Sequence, residues 1–144
     1  MDKQQKLQLI APCGIDCFNC ECYIDNILPE WIPQYSELFN LAPENVPCKG
    51  CRTEKGCKYH GYKCETLDCT NEKAVNYCFE CSEFPCSRLQ PARDGADKYP
   101  HNFKLYNLCR MKYTGIENWI KEAKTIREKY FKGQFIIGSG PVFK

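Results

Sequence analysis

The sequence predicts an α+β domain, mostly helical and irregular, on three grounds. It carries 13 cysteines in 144 residues, far above ordinary usage. Its middle, Cys48 to Cys69, is almost free of aliphatic side chains and cannot fold on apolar burial alone. Its last third repeats apolar residues at helical spacing. The expectation is therefore a single small metal-stabilised domain over residues 1–144, with cysteine knuckles and two C-terminal helices. The cysteine-rich part spans about residues 11–90 and the helical part about 101–132.

In chain order, residues 1–10 read as an extended arm. Asp16 is placed to N-cap a short helix running to about Asp25. Cys17 and Cys20 are spaced i, i+3, and Cys13 and Cys17 i, i+4, which puts the three thiols on one face of a turn entering that helix. Pro29, Pro33, Pro43 and Pro47 punctuate the next stretch. Between them Gln34–Ala42 reads as a helix, with Pro33 at its start and Pro43 past its end. Leu28, Trp31 and Ile32 are assigned to the core. After the basic loop a short helix is expected over Asn71–Tyr77, and Pro85 opens another that carries Cys86 and Leu89.

Pro91–Pro100 reads as a polar connector with an Asp94-Gly95 turn. Phe103, Leu105, Tyr106, Leu108 and Cys109 predict a helix to about Tyr113. Thr114-Gly-Ile-Glu117 has the form of a capping box for a second helix, which runs to about Phe131 with Gly133 as its C-cap. The tail Gln134–Lys144 is expected as an edge strand or as a segment that packs on a partner.

The chemistry lies in the thiols. The N-terminal run MDKQQKLQLIAP has too short an apolar core for a signal peptide, and no run of 18 apolar residues occurs. A cytoplasmic chain with no membrane segment is expected, so its thiols stay reduced. An odd cysteine count also disfavours a fully disulfide-bonded monomer. Three C-x-x-C units occur: Cys17/Cys20, Cys48/Cys51 and Cys78/Cys81. Two residues between thiols let one turn aim both at one ion, and zinc takes about four such ligands.

The candidate ligands are Cys13, Cys17, Cys20, Cys48, Cys51, Cys64, Cys69, Cys78, Cys81 and Cys86, enough for about two zinc ions with four thiolates each. The expected pairing joins Cys48/Cys51 to Cys78/Cys81. It leaves Cys13, Cys17 and Cys20 with one of Cys64, Cys69 or Cys86. Lysines and Arg52 around Cys48–Cys64 are expected to offset the thiolate charge. His60 is the nearest other ligand, although a loop histidine is usually solvated, and His101 reads as surface. Cys22 and Cys109 read as small hydrophobes.

An iron–sulfur cluster uses the same four-cysteine ligation and stands as the alternative cofactor. It would go with an enzyme or redox protein using an open site. The C-x3-C-x2-C spacing at Cys13/Cys17/Cys20 matches radical enzymes, but Asn19 stands where they place an aromatic, and their barrel is longer than this chain. A redox C-x-x-C would need a βαβ context that is absent.

A nucleic-acid-binding zinc protein is a second alternative. Nine Lys/Arg face three Glu between Lys98 and Lys132. Tyr106, Trp119 and Tyr130 are needed for the core, however, so a solvated basic face accounts for the charge. With a net charge of +2 no polyanion partner is indicated. The reading is a zinc-binding protein whose metal is mainly structural, a binding or scaffold module able to take a protein partner. No Ser/His/Asp set, carboxylate acid/base pair or phosphate-cradling glycine loop is present.

Three segments carry a resemblance: Ala11-Pro-Cys13-Gly-Ile-Asp-Cys17-x-x-Cys20, Cys48-x-Gly-Cys51-Arg52 and Cys78-x-Glu-Cys81-x-Glu-Phe-Pro-Cys86. With Gly115-Ile-Glu-x-Trp119 in the last helix, the chain resembles the domain of unknown function 3795 family over about residues 8–125. These are small cysteine-rich bacterial and archaeal proteins. The resemblance implies a metal-binding cytoplasmic protein and supplies no catalytic residues. Some relatives end in a further cysteine pair where this chain reads FIIGSGPVFK, and Cys22 and Cys57 are additions to the shared pattern.

Overall fold

The computed structural model describes residues 1–61, 63–89, 103–136 and 140–143, without the side chains of His60 and Phe135. The Pro91–Pro100 connector and His101 lie outside the described residues. The chain is mostly helical. Its contacts divide into two compact units, Met1–Ala11 with Asp16–Cys69, and Pro12–Ile15 with Thr70–Lys144.

The first unit opens on a helix, α1 (Lys3–Gln8), where an extended arm was expected. A capping box explains it. The Asp2 carboxylate accepts the Gln5 N–H at 2.8 Å, and the Gln5 side-chain oxygen accepts the Asp2 N–H at 2.8 Å. Leu9, Ile10 and Ala11 then enter the core with Phe18, Val46 and Leu67. Asp16 N-caps only a 3-10 turn, Cys17–Asn19, and its buried carboxylate accepts from the Asn19 amide at 2.9 Å. The helix expected to run on to Asp25 does not form. Instead the segment bridges Tyr23 to Cys48 in parallel.

Helix α2 (Ile32–Phe39) has Pro33 in its first turn and ends on left-handed Asn40. Its aromatic residues form a ladder, Trp31–Tyr35–Phe39–Tyr59. Leu28 is exposed, and Trp31 and Ile32 are only half-buried, so this segment is not the core that its apolarity suggests. Helix α3 (Glu65–Glu72) lies N-terminal to the expected Asn71–Tyr77. Glu65 and Asp68 in its first turn complement the helix dipole, and left-handed Ala74 blocks any continuation toward Tyr77.

The second unit is built on α4 (Phe103–Thr114) and α5 (Ile116–Lys132). Phe103, Leu108, Met111, Trp119, Ala123, Ile126 and Tyr130 form its core. Arg110 clamps Glu122 with two hydrogen bonds of 2.9 Å. The expected capping box at Thr114 does not form. Thr114 donates its hydroxyl back to the Arg110 carbonyl, and Gly115 takes the N-cap position at φ +83°, in the left-handed region that favours glycine.

After α5 the tail forms a hairpin, β1 (Gln134–Ile136) antiparallel to β2 (Gly140–Val142), in register Phe135 to Pro141. The expected edge strand thus forms, paired within the tail. Gly133 makes the corner. A Cβ there would meet the Lys129 carbonyl oxygen and, at 2.5 Å, the Val142 carbonyl oxygen. Both are backbone atoms, so Gly133→Ala is expected to destabilise by about 1–3 kcal/mol, as overpacking does. A lowered urea midpoint would show it. An unchanged midpoint would mean that the hairpin shifts freely.

Candidate metal centre

None of the 13 cysteines is joined in a disulfide. In the first unit, two C-x-x-C turns meet. The turn Cys17–Cys20 is closed by the Cys20 N–H on the Cys17 carbonyl at 3.1 Å. The Asn26 amide clamps it by donating to the carbonyls of Phe18 at 3.0 Å and Cys20 at 2.8 Å. The segment that follows is stapled to the second turn. The Cys48 N–H donates to the Cys22 carbonyl at 2.8 Å, and the Ile24 N–H to the Cys48 carbonyl at 2.8 Å.

Beyond Cys48 the chain turns on Gly50, at φ +95°. A Cβ at Gly50 would come within 2.8 Å of the Leu9 side chain, so only glycine lets the turn sit this close. Its N–H donates to the Cys48 sulfur at 3.3 Å. Arg52 fixes the far side by donating from Nε to the Ile10 carbonyl at 2.9 Å.

The outcome is a thiol–thiol contact between residues 34 positions apart, with Cys17 Sγ and Cys51 Sγ 3.7 Å apart. The bond from Cys51 holds the Cys17 thiol below its ordinary pKa, and the Cys51 backbone N–H adds to this against burial. The charge of Cys20 acts on both Cys17 and Cys48. Burial pushes the Cys48 thiol up to about 11. Cys17 and Cys51 are in contact, and Cys20 and Cys48 lie on the same two turns. Among the described residues no three His, Cys, Asp or Glu side chains already converge as a metal-binding group.

Cys22, which the sequence reading took for a small hydrophobe, has polar neighbours. It is half-buried, and its thiol is raised by its hydrogen bond with Cys20 and then by burial, while Tyr59 acts on it in the opposite direction. Tyr59, whose hydroxyl donates to the Val46 carbonyl, carried no sequence signal. Cys64 sits at the start of α3, where its carbonyl accepts the Asp68 N–H at 3.1 Å, and Cys69 lies within that helix. The side chain of His60 lies outside the described residues.

The basic residues are placed differently from expectation. Lys58 spends its ammonium on the Asn45 and Pro47 carbonyls and on Glu54, and Lys63 pairs with Asp68. Lys49 and Lys55 are exposed. Backbone N–H groups, rather than lysines, are what the structure aims at the sulfurs. Cys109 is exposed on α4 rather than packed in its apolar face.

The second unit holds Cys13, Cys78, Cys81 and Cys86, the last of them exposed. The expected pairing of Cys48/Cys51 with Cys78/Cys81 draws on both units, whereas the thiol beside Cys51 is Cys17 of its own unit.

A family model described as "Protein of unknown function (DUF3795)" matches residues 9–91. That span holds all of the cysteines except Cys109. No curated protein and no solved structure matches the chain. Among the described residues no helix is long and apolar enough to cross a membrane.

Proposed function

The chain belongs to the DUF3795 family of proteins of unknown function, and from that footing we propose that it is a zinc-binding module whose metal is structural. The observation that carries this reading is the 3.7 Å contact of the Cys17 and Cys51 sulfurs. Four sulfurs held about 2.3 Å from one zinc stand about 3.8 Å apart along each edge of the tetrahedron. In a [4Fe–4S] cluster each thiolate binds a different iron, so its sulfurs stand farther apart, whereas a [2Fe–2S] cluster sets two thiolates on each iron. Cys20 and Cys48, on the same two turns, complete the ligand set in this reading.

A structural ion answers a physical need here. The segment from Cys48 to Cys64 is polar and turn-rich and supplies almost nothing to an apolar core. Metal binding in such a domain is folding free energy. The setting is the reducing cytoplasm, where 13 thiols remain available. Action by binding, with another protein as partner, completes this reading.

Elemental analysis of protein purified without oxygen tests the metal. The expected result is a colourless protein with about two zinc per chain, as for paired four-thiolate sites. Brown protein containing iron and sulfide would replace this reading with the cluster. Chelation tests the role: near-UV circular dichroism should collapse as zinc leaves. A full signal from the demetallated chain would end the structural assignment.

A further inference from the structure

We propose that the second unit holds a metal site of its own, formed by Cys13, Cys78, Cys81 and Cys86, so that the N-terminal run Cys13–Cys20 serves two different ions. The inference rests on the reading of the chain as a thiolate–metal protein and adds which cysteines share which ion.

The path of residues 12–16 carries it. Gly14 is pinned in the second unit, where its carbonyl accepts the Asn107 amide at 2.8 Å. It adopts φ +89°, and a Cβ would lie 2.8 Å from the Lys104 carbonyl oxygen and 3.0 Å from Leu108. Two residues later the chain is back in the first unit, with Asp16 bridged to Ile10 and the Cys17 N–H on the Leu9 carbonyl at 3.1 Å. The 3-10 turn begins at Cys17, so no helical face carries both Cys13 and Cys17 as their i, i+4 spacing suggested.

The chain beside Cys13 instead meets the third C-x-x-C unit through its backbone. The carbonyl of Pro12 accepts the Cys78 N–H at 3.0 Å. The Cys78 turn is closed by the Cys81 N–H on the Cys78 carbonyl at 3.2 Å. It packs on α4 and is held by Glu80, which accepts the Asn76 and Tyr77 N–H groups at 2.7 and 3.0 Å. The Glu83 N–H donates to the Cys81 sulfur at 3.4 Å, the same i to i+2 bond that Gly50 makes to Cys48 at 3.3 Å. Both turns thus aim a backbone N–H at a sulfur, the arrangement that supports a thiolate ligand.

Cys13, Cys78 and Cys81 are half-buried, set apart from the core that Leu108 and Met111 fill. The chain then turns at Phe84 and again at Leu89, which is buried and whose N–H is fixed to the Cys86 carbonyl at 3.1 Å. Cys86 is left exposed, as the last ligand to close on the ion.

The test is a metal count on full-length double variants made without oxygen. Cys13→Ser with Cys81→Ser should lose one of the about two zinc ions held by paired four-thiolate sites. Cys17→Ser with Cys51→Ser should lose the other. Cys13→Ser with Cys51→Ser should lose both. If that last pair keeps one ion, residues 13 and 51 share a site and the partition is wrong. If the wild-type chain binds one ion, which both pairs containing Cys51→Ser lose and the Cys13/Cys81 pair keeps, the second site does not exist, while the zinc reading stands. A wild-type chain without metal would overturn both.

A variant that retains ligation guards against simple misfolding. Cys81→His should keep the full count, and on cobalt substitution the thiolate-to-metal absorbance should fall by one thiolate's share. Unchanged absorbance would mean that Cys81 ligates nothing.

Discussion

Cys51→Ser is expected to unfold the first unit and to release one metal ion. The size of the effect follows from what else holds that unit. Its apolar core is a short set: Leu9, Ile10, Ala11, Phe18, Val46 and Leu67. Structural zinc contributes about 10–16 kcal/mol near neutral pH in small domains, whereas whole domains are stable by only about 5–15 kcal/mol. A serine hydroxyl stays protonated at neutral pH and replaces a soft thiolate poorly. It also breaks the 3.7 Å contact with Cys17 that joins the two turns. Amide resonances of residues 16–69 should collapse toward random-coil positions, while those of α4 and α5 stay dispersed, because their core residues all belong to the second unit. Cys109→Ser is the control. That thiol is exposed, and its loss should change stability by less than about 0.5 kcal/mol. A C51S chain with full zinc content and native shifts over residues 16–69 would sink the structural reading.

The helices that were legible in the sequence are the ones with a long period. Ile116, Trp119, Ile120, Ala123, Ile126 and Tyr130 can lie on one side of a helix and of little else, and α5 follows them. Pro33 and Gly133 likewise act through local geometry. Helix α1 was missed although Asp2-x-x-Gln5 spells a capping box, because five of its six residues are Lys or Gln and no apolar stripe draws attention to it. Leu28 was misplaced for the opposite reason. Apolar side chains populate surfaces as well as cores, so apolarity alone does not assign burial. At Thr114 the motif was present, but the chain reverses direction there, and that reversal requires the positive φ of Gly115.

The site divides in the same way. Three C-x-x-C units are visible because covalent spacing fixes how two thiols of one turn can point. Which turns share an ion depends on long-range contacts that no spacing encodes. Those contacts are the Tyr23–Cys48 bridge, the Pro12 carbonyl on the Cys78 N–H, and the Asn107 amide on Gly14. The first two are backbone hydrogen bonds, which every residue type except proline can donate, and the third joins a side-chain amide to a backbone carbonyl that any residue supplies.

Asn107→Ala is expected to destabilise the second unit by about 3–5 kcal/mol, from two orphaned hydrogen-bonding groups at about 1–3 kcal/mol each plus the cavity left behind. Asn107 is buried and spends both ends of its amide. Nδ2 donates to the Gly14 carbonyl at 2.8 Å, and Oδ1 accepts the indole N–H of Trp119 at 3.1 Å. Trp119 is fully buried, so its N–H has no access to water in exchange. Leucine would fill the space and still orphan both groups. Aspartate would keep the acceptor for Trp119 but would turn a carboxylate oxygen toward the Gly14 carbonyl, adding repulsion to the loss. All three variants should therefore melt earlier than wild type, in the order Asp below Ala, with the Trp119 indole proton exchanging faster. The same bond holds the loop that carries Cys13, so Asn107→Ala should also weaken binding of the metal assigned to Cys13, Cys78, Cys81 and Cys86 and leave the Cys17/Cys51 ion in place. An Asn107→Ala chain within about 0.5 kcal/mol of wild type, the range of an ordinary surface change, would mean that Gly14 and Trp119 find other partners and that this amide does not organise the unit.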